Sequence, residues 1–300
     1  MKVIDVHTHT WTQDIISEKD LEARRIAAAR LGVEPRLDST IDKLESMMKT
    51  SGVERAVVLP IDSGLSKKVP LSLSEKTDHH VNEVKDIPSI STFVGIDPRR
   101  GENGLRELER AVKEKGCLGW KMYPPLGFYP DDRDFDPYYE LCINLGIPVL
   151  IHQGVTPRFN YLKYGRPVYV DRVAVDFPSL KIILAHVGYP WVSETLTVSH
   201  KNPNVFIDIS GWQISAATRP YRMYEMIGEA KFMRVFPNRM LFGSDYPFFE
   251  DILPLKEWVD FCKELQMPSE LMDKGYSQIK EEEIEQLMWK NAARIIFGEK

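Results

Sequence analysis

Residues 3–9 read Val-Ile-Asp-Val-His-Thr-His, an apolar run that ends in two histidines spaced i, i+2. Side chains two apart in an extended chain project from the same side, so His7 and His9 present both imidazoles to one point. A lone histidine at a strand end is usually a polar residue satisfied by a hydrogen bond. Here, however, three more ligand-type groups follow apolar runs in the same way. His152 closes Pro-Val-Leu-Ile-His (148–152), His186 closes Ile-Ile-Leu-Ala-His (182–186), and Asp245 follows Met-Leu-Phe-Gly-Ser (240–244).

The same β-branched signature recurs along the chain and predicts eight strands, at 2–7, 55–59, 91–96, 117–122, 148–152, 181–186, 205–209 and 240–243. Helical spacing fills the gaps: Ser39 precedes Ile41, Leu44, Met47 and Met48, Glu102 precedes Leu105, Leu108 and Val112, and Pro137 precedes Tyr138, Leu141 and Leu145. Gly52, Gly116 and Gly146 stand where these three helices should stop, since glycine accepts the left-handed turn that ends a helix. Strict strand–helix alternation over about 250 residues is the pattern of an α/β (β/α)8 TIM barrel, which gathers functional groups at the carboxyl ends of its strands. The competing open, doubly wound sheet lacks support, because no Gly-x-Gly-x-x-Gly follows the first strand. Two departures are expected. Residues 10–37, with Trp11, a helical 21–31 and Pro35, make a helical insertion after strand 1 that can cover the mouth, and 252–265 and 281–297 read as extra C-terminal helices, the last one closing the outside of the barrel. No linker divides the chain, so residues 1–300 are expected to form one domain.

Composition narrows the functional classes. At 43% hydrophobic and 28% charged, the 300 residues can bury a large core. The net charge of −5 is spread along the chain and offers no basic face to nucleic acid. The cysteines, Cys117, Cys142 and Cys262, are odd in number and set in apolar surroundings, which predicts reduced thiols and a cytoplasmic protein. Neither a signal peptide nor an apolar run of the roughly 18 residues needed to cross a membrane is visible. The expected partner is a small-molecule substrate, and the exposed helices could support a homodimer.

Imidazoles with one carboxylate suit a divalent metal ion, Zn2+ first, with Mn2+, Fe2+ or Co2+ as alternatives. His7, His9 and His152 are the expected nitrogen ligands; Asp245 completes the shell and accepts a proton from metal-bound water, whose pKa falls from about 15.7 towards 7. His186 is assigned to general-acid or electrophilic work, with a fourth imidazole ligand as its alternative. Tyr123, Trp11, Arg158 and Tyr246 lie just beyond strand ends, where a planar or acidic molecule would bind, and Arg158 could fork onto a carboxylate. His79, His80 and His200 sit among charged residues and read as solvated surface.

The ordered set Asp-Val-His-Thr-His (5–9), Gly-Trp-Lys-Met-Tyr-Pro-Pro (119–125), Pro-Val-Leu-Ile-His-Gln-Gly (148–154), Ala-His-Val-Gly (185–188), Gly-Ser-Asp-Tyr-Pro (243–247) and Asn-Ala-Ala-Arg-Ile-Ile-Phe-Gly (291–298) resembles the amidohydrolase superfamily. Order and spacing are most similar to its amidohydrolase-2 branch, which includes aminocarboxymuconate-semialdehyde decarboxylase and the resorcylate-type decarboxylases. The resemblance implies a (β/α)8 barrel with one divalent ion on His7, His9, His152 and Asp245, and His186 assisting beside it. Some decarboxylase relatives carry glutamate in place of the first histidine, whereas this chain keeps histidine. In two-metal branches a lysine ending the fourth strand is carbamylated; here Lys121 is read as a cationic contact for a substrate carboxylate, with a second metal as the lesser reading. The expected activity is metal-dependent hydrolysis of a small amide or lactone bearing a carboxylate. The alternatives are non-oxidative decarboxylation of an unsaturated or aromatic acid by a carboxy-lyase and, last, a catalytically silent metal-binding barrel.

Overall fold

The computed structural model describes residues 1–299, the side chains of Arg30 and Leu31 excepted. Nine short strands run in chain order: β1 Ile4–Thr8, β2 Arg55–Val58, β3 Ile90–Thr92, β4 Val94–Gly95, β5 Trp120–Met122, β6 Val149–Ile151, β7 Ile182–Leu184, β8 Val205–Asp208 and β9 Met240–Leu241. Every pairing is parallel and between sequence neighbours, in the orders β1-β2-β3 and β4 through β9. β3 and β4 are two halves of one stave divided at Phe93, whose N–H turns to the Val58 carbonyl (3.0 Å) while Leu118 N–H takes that of Thr92 (3.0 Å). The last stave returns to the first through Val6 N–H to Phe242 O (3.1 Å), Asp245 N–H to His7 O (2.8 Å) and His9 N–H to Tyr246 O (2.8 Å). The eight expected staves therefore close into a barrel.

The connecting helices are α1 Glu18–Leu31, α2 Ile41–Ser51, α3 Leu73–Val84, α4 Glu102–Lys113, α5 Asp136–Leu145, α6 Asp171–Asp176, α7 Val192–Lys201, α8 Gln213–Thr218, α9 Pro220–Phe232, α10 Leu255–Lys263, α11 Ser269–Met272, α12 Glu281–Glu285 and α13 Asn291–Ile295. Gly52, Gly116 and Gly146 all take positive φ (75°, 76° and 70°). Each lets the next amide return to the helix it ends: Val53 to Met48, Cys117 to Ala111 and Ile147 to Cys142. The insertion carries α1, capped by Ser17, and its base is tied by a two-way backbone pairing of Trp11 with Ser39 (2.8 Å each). α10 begins three residues later than expected, because Pro254 sets its first turn.

Alternation along the strands separates two kinds of core. Val149, Ile151, Ile182 and Leu184 pack outward against helices, whereas Leu150 and Ile183 join Ile4, Val6, Val57 and Leu241 inside. The terminal helix departs from expectation: Ala292, Ala293, Ile295 and Ile296 pack with this inner set instead of closing the outside. Asn291 fixes that helix to the barrel, its side-chain amide donating to Pro237 O (2.7 Å) and Met240 O (2.8 Å). All three cysteines are free and buried, and no helix among the described residues is long and apolar enough to cross a membrane.

Candidate active site

The strands end earlier than the sequence suggests because the site residues leave the ladder. His152, His186 and Asp245 follow β6, β7 and β9 directly or within a few residues. His186 (φ 61°) and Asp245 (φ 53°) adopt left-handed backbone, unusual for residues with a side chain and typical of functional turns.

His7 and His9 point into the mouth together, and each is anchored from behind. His7 Nδ1 donates to Asp208 Oδ2 (2.8 Å), and His9 Nδ1 donates to the Leu59 carbonyl (2.8 Å). Those bonds fix the tautomer and leave both Nε2 lone pairs facing Asp245 Oδ1, at 3.5 Å from His7 and 3.1 Å from His9. The three ligand atoms lie within 4.8 Å of one another. Burial lowers His9, and burial with Lys121 alongside lowers His7 to about 3, so both imidazoles stay neutral, as metal ligation requires. Burial opposes ionisation of Asp245, but His9, His7 and His186 outweigh it and hold the carboxyl at about 2.

A buried layer supports this trio. Asp5 accepts the His7 and Ser244 amides (both 3.0 Å), and burial raises its pKa to about 7. Asp208 accepts the His186 and Ser210 amides (3.1 and 3.0 Å) as well as His7. Burial disfavours its charge, yet His7 and His186 keep it well below the usual carboxylate range. Lys121 is buried and points inward, its Nζ 3.2 Å from His7 Nε2, and burial lowers it to about 8.

His152 and His186 stand together on the other side of His7. His186 Nδ1 faces the Ser210 hydroxyl (2.8 Å), and its Nε2 faces His152 Nδ1 (3.2 Å), so one of those two nitrogens carries the proton between them. His152 Nε2 meets the Val155 carbonyl at 3.1 Å. Three of the four expected ligands thus form one group, while His152 is engaged with His186 and Val155 outside it.

The expected substrate residues part company. Tyr123 is buried against the His152 ring (4.5 Å between centroids), its hydroxyl 2.8 Å from Thr156 Oγ1. Trp11 is a fixed platform: its indole N–H donates to Leu37 O (2.9 Å) and its face stacks on Phe248 (5.4 Å). Arg158 lies exposed at the rim. Tyr246 turns into the apolar core, and Phe248 takes the expected place at the mouth. A cavity of about 820 Å³ joins His9, Lys121, His152, His186 and Asp245 to the insertion.

Surface readings of the other histidines hold only in part. His200 is exposed, but His80 is only 2% exposed and bonded through Nδ1 to Glu83 (3.0 Å), with His79 half-buried beside it. The inward face of α3, shared with Thr77, explains the burial. Sequence reasoning missed Asp208, although it ends the apolar run Val-Phe-Ile-Asp (205–208) in the same way as the chosen ligands. It also missed Arg24, which shares a helical stripe with the buried Leu21 and Ala28.

A parallel (β/α)8 barrel with imidazoles and a carboxylate at the carboxyl ends of its strands defines a TIM-barrel enzyme architecture. Residues 4–297 match the family described as Amidohydrolase, of the amidohydrolase-2 type, and the chain belongs to that enzyme family. A curated relative, the 2-keto-4-carboxy-3-hexenedioate hydratase of Sphingobium sp. (strain NBRC 103272 / SYK-6), is 26% identical over 179 residues, which are 48% of this chain and 52% of the relative. The chain therefore spans about half the length of the curated relative it matches. Among solved structures, dihydroxybenzoic acid decarboxylase from Polaromonas sp. JS666, with bound manganese, is similar at TM-score 0.65 and 18% identity, over 99% of this chain and 97% of that one. The "probable 2-pyrone-4,6-dicarboxylic acid hydrolase" of Acinetobacter baumannii, with citric acid bound, is similar at TM-score 0.64 and 15% identity, over 99% and 100%. At such identities the structures speak to the fold.

The donor set suits a divalent ion. Two neutral imidazoles and an ionised carboxylate converge, and each imidazole is held through its other nitrogen by a carboxylate or carbonyl, the support that metal-binding histidines need.

Proposed function

We propose that this protein is a metal-dependent hydrolase that cleaves an amide or lactone bond in a small organic substrate bearing carboxylate. The observation that carries the reading is the convergence of His7 Nε2, His9 Nε2 and Asp245 Oδ1 with both Nδ1 atoms anchored from behind. His7, His9 and Asp245 would hold one divalent ion, Zn2+ or Mn2+, with His152 as the fourth donor inferred from the sequence. Such an ion, when bound, polarises a carbonyl and brings the pKa of water from about 15.7 towards 7.

The chain's own groups do the rest. Asp245, ionised far below neutral pH, accepts the proton of the attacking water as its oxygen bonds to the carbonyl carbon. The same carboxyl returns that proton to the leaving nitrogen or oxygen as the bond breaks. His186, fixed through Nδ1 by Ser210, exchanges its Nε2 contact with His152 for the carbonyl oxygen when substrate binds. Lys121, buried at the floor, meets a substrate carboxylate. Substrates named for the relatives, a carboxy-hexenedioate and a pyrone dicarboxylic acid, share that anionic character and an addition of water.

A second reading, release of carbon dioxide from an unsaturated or aromatic acid, draws support from the decarboxylase neighbour and from Lys121 beside His7. Turnover of carboxylated lactones and amides before chelation, after it, and after metal return tests the proposal. Activity should vanish and recover, with one oxygen of labelled water entering the product. Carbon dioxide release without label uptake would select the second reading, and full turnover by metal-free protein would remove both.

A further inference from the structure

The insertion brings a cation, Arg24, to the cavity, and among the described residues it forms no ion pair within 4.0 Å. Arg24, on α1, lines the same cavity as Asp245 and Tyr123. Its Cζ lies over Trp11, 3.6 Å from the ring centroid, and 4.9 Å from that of Phe248. Both rings are held: Trp11 by its bond to Leu37 O, and Phe248 by contact with His9 at 5.5 Å. The arginine is therefore pre-positioned one ring, Phe248, away from the candidate metal ligand His9.

Arg24 Nε is buried and has no hydrogen-bond partner, although Asp20 and Asp245 lie near enough to favour the guanidinium's charge. The carboxylates that could serve are engaged elsewhere. Asp20 takes Lys67 Nζ (2.5 Å) and the Ser17 hydroxyl (2.6 Å), and Asp245 faces His7 and His9. Burying an arginine donor without an acceptor is costly, and its planar fork matches a carboxylate. Arg158, by contrast, is exposed and would lose little by remaining solvated.

We propose that Arg24 is the rim anchor for a second carboxylate of the substrate, which makes the preferred substrate class a small, flat dicarboxylic acid. One carboxylate meets Lys121 at the floor, and the other forks onto Arg24 at the rim. The proposal rests on the reading of this cavity as a substrate site, and its test needs no turnover.

Isophthalate and benzoate, titrated calorimetrically into the purified protein, differ by the second carboxylate alone. Wild type should bind isophthalate at least about tenfold more tightly. Arg24→Gln should lose about 10- to 100-fold in isophthalate affinity and change benzoate less than about twofold; Arg24→Lys, which keeps the charge and loses the fork, should fall between. Arg158→Gln should match wild type. Equal binding of the two acids by wild type, a preference retained in Arg24→Gln, or equal weakening of both acids in a folded variant would each overturn the proposal. Because binding alone is read, loss of the metal-dependent activity claim would leave this result standing, and the reverse also holds.

Discussion

Among the described residues, two regions hold a pair of histidines and a carboxylate within 4.8 Å: the mouth, in two overlapping groups that share His7, and α3; of these only the mouth is arranged to serve an ion. In the first, His7 and His9 are anchored from behind by Asp208 and the Leu59 carbonyl, so both Nε2 atoms point into the mouth, where they meet Asp245 and His7 Nε2 also meets Lys121. In the second, all three residues come from α3: Glu83 takes His80 Nδ1 at 3.0 Å, lies 3.5 Å from His79 Nε2, and accepts the Thr10 hydroxyl (3.2 Å). The lesson is that outer partners, more than the count of ligands, distinguish a metal centre from a polar staple. Through Thr10, which follows His9, the staple braces the chain beside the centre.

The sharpest way to break the contrast is to remove the carboxylate from each cluster. Asp245→Asn should lower kcat/KM by about 10²- to 10⁴-fold with the fold intact by circular dichroism, since a proton acceptor and a ligand disappear together. Glu83→Gln should leave bound metal unchanged. Next in size, Asp208→Asn removes an outer partner only, and metal affinity measured by competition with a chelator should fall about 10- to 100-fold.

Acid should separate the clusters by stability. Burial disfavours the Glu83 charge, but His79 and His80 hold the carboxyl at about 2, against 4.5 unfolded. Its contribution is therefore complete above pH 4.5 and is lost as pH falls towards 2. His80 acts in the same direction: burial lowers its pKa from 6.5, so unfolding gains protons and stability declines as pH drops below 6.5. Urea midpoints from pH 7 to pH 3 should fall in wild type, and Glu83→Gln should start lower by about 1 kcal/mol and fall less steeply. The smallest effect is expected from Arg158→Gln, which should change kcat/KM less than about twofold in steady-state assays.

Much of this was legible in the chain. The eight staves and the placement of His7, His9, His186 and Asp245 at the mouth follow from apolar runs that end in polar residues, because a parallel barrel sends all its carboxyl ends to one side. What escaped depends on contacts far apart in sequence. Asp208 is an ordinary strand end until it meets His7, 201 positions away. His80 has charged neighbours in sequence, yet its face of α3 turns inward. The split at Phe93 arises from amides choosing different neighbouring staves, which periodicity cannot register. Arg24 left a readable mark as the cation in an otherwise apolar stripe of α1.

The central claim is that His7, His9 and Asp245 grip one divalent ion on which turnover depends. Elemental analysis of wild type beside His9→Ala, both confirmed folded, tests it most directly. The expected result is close to one ion per wild-type chain and almost none in the variant; a folded His9→Ala that keeps its full complement of metal would contradict the account.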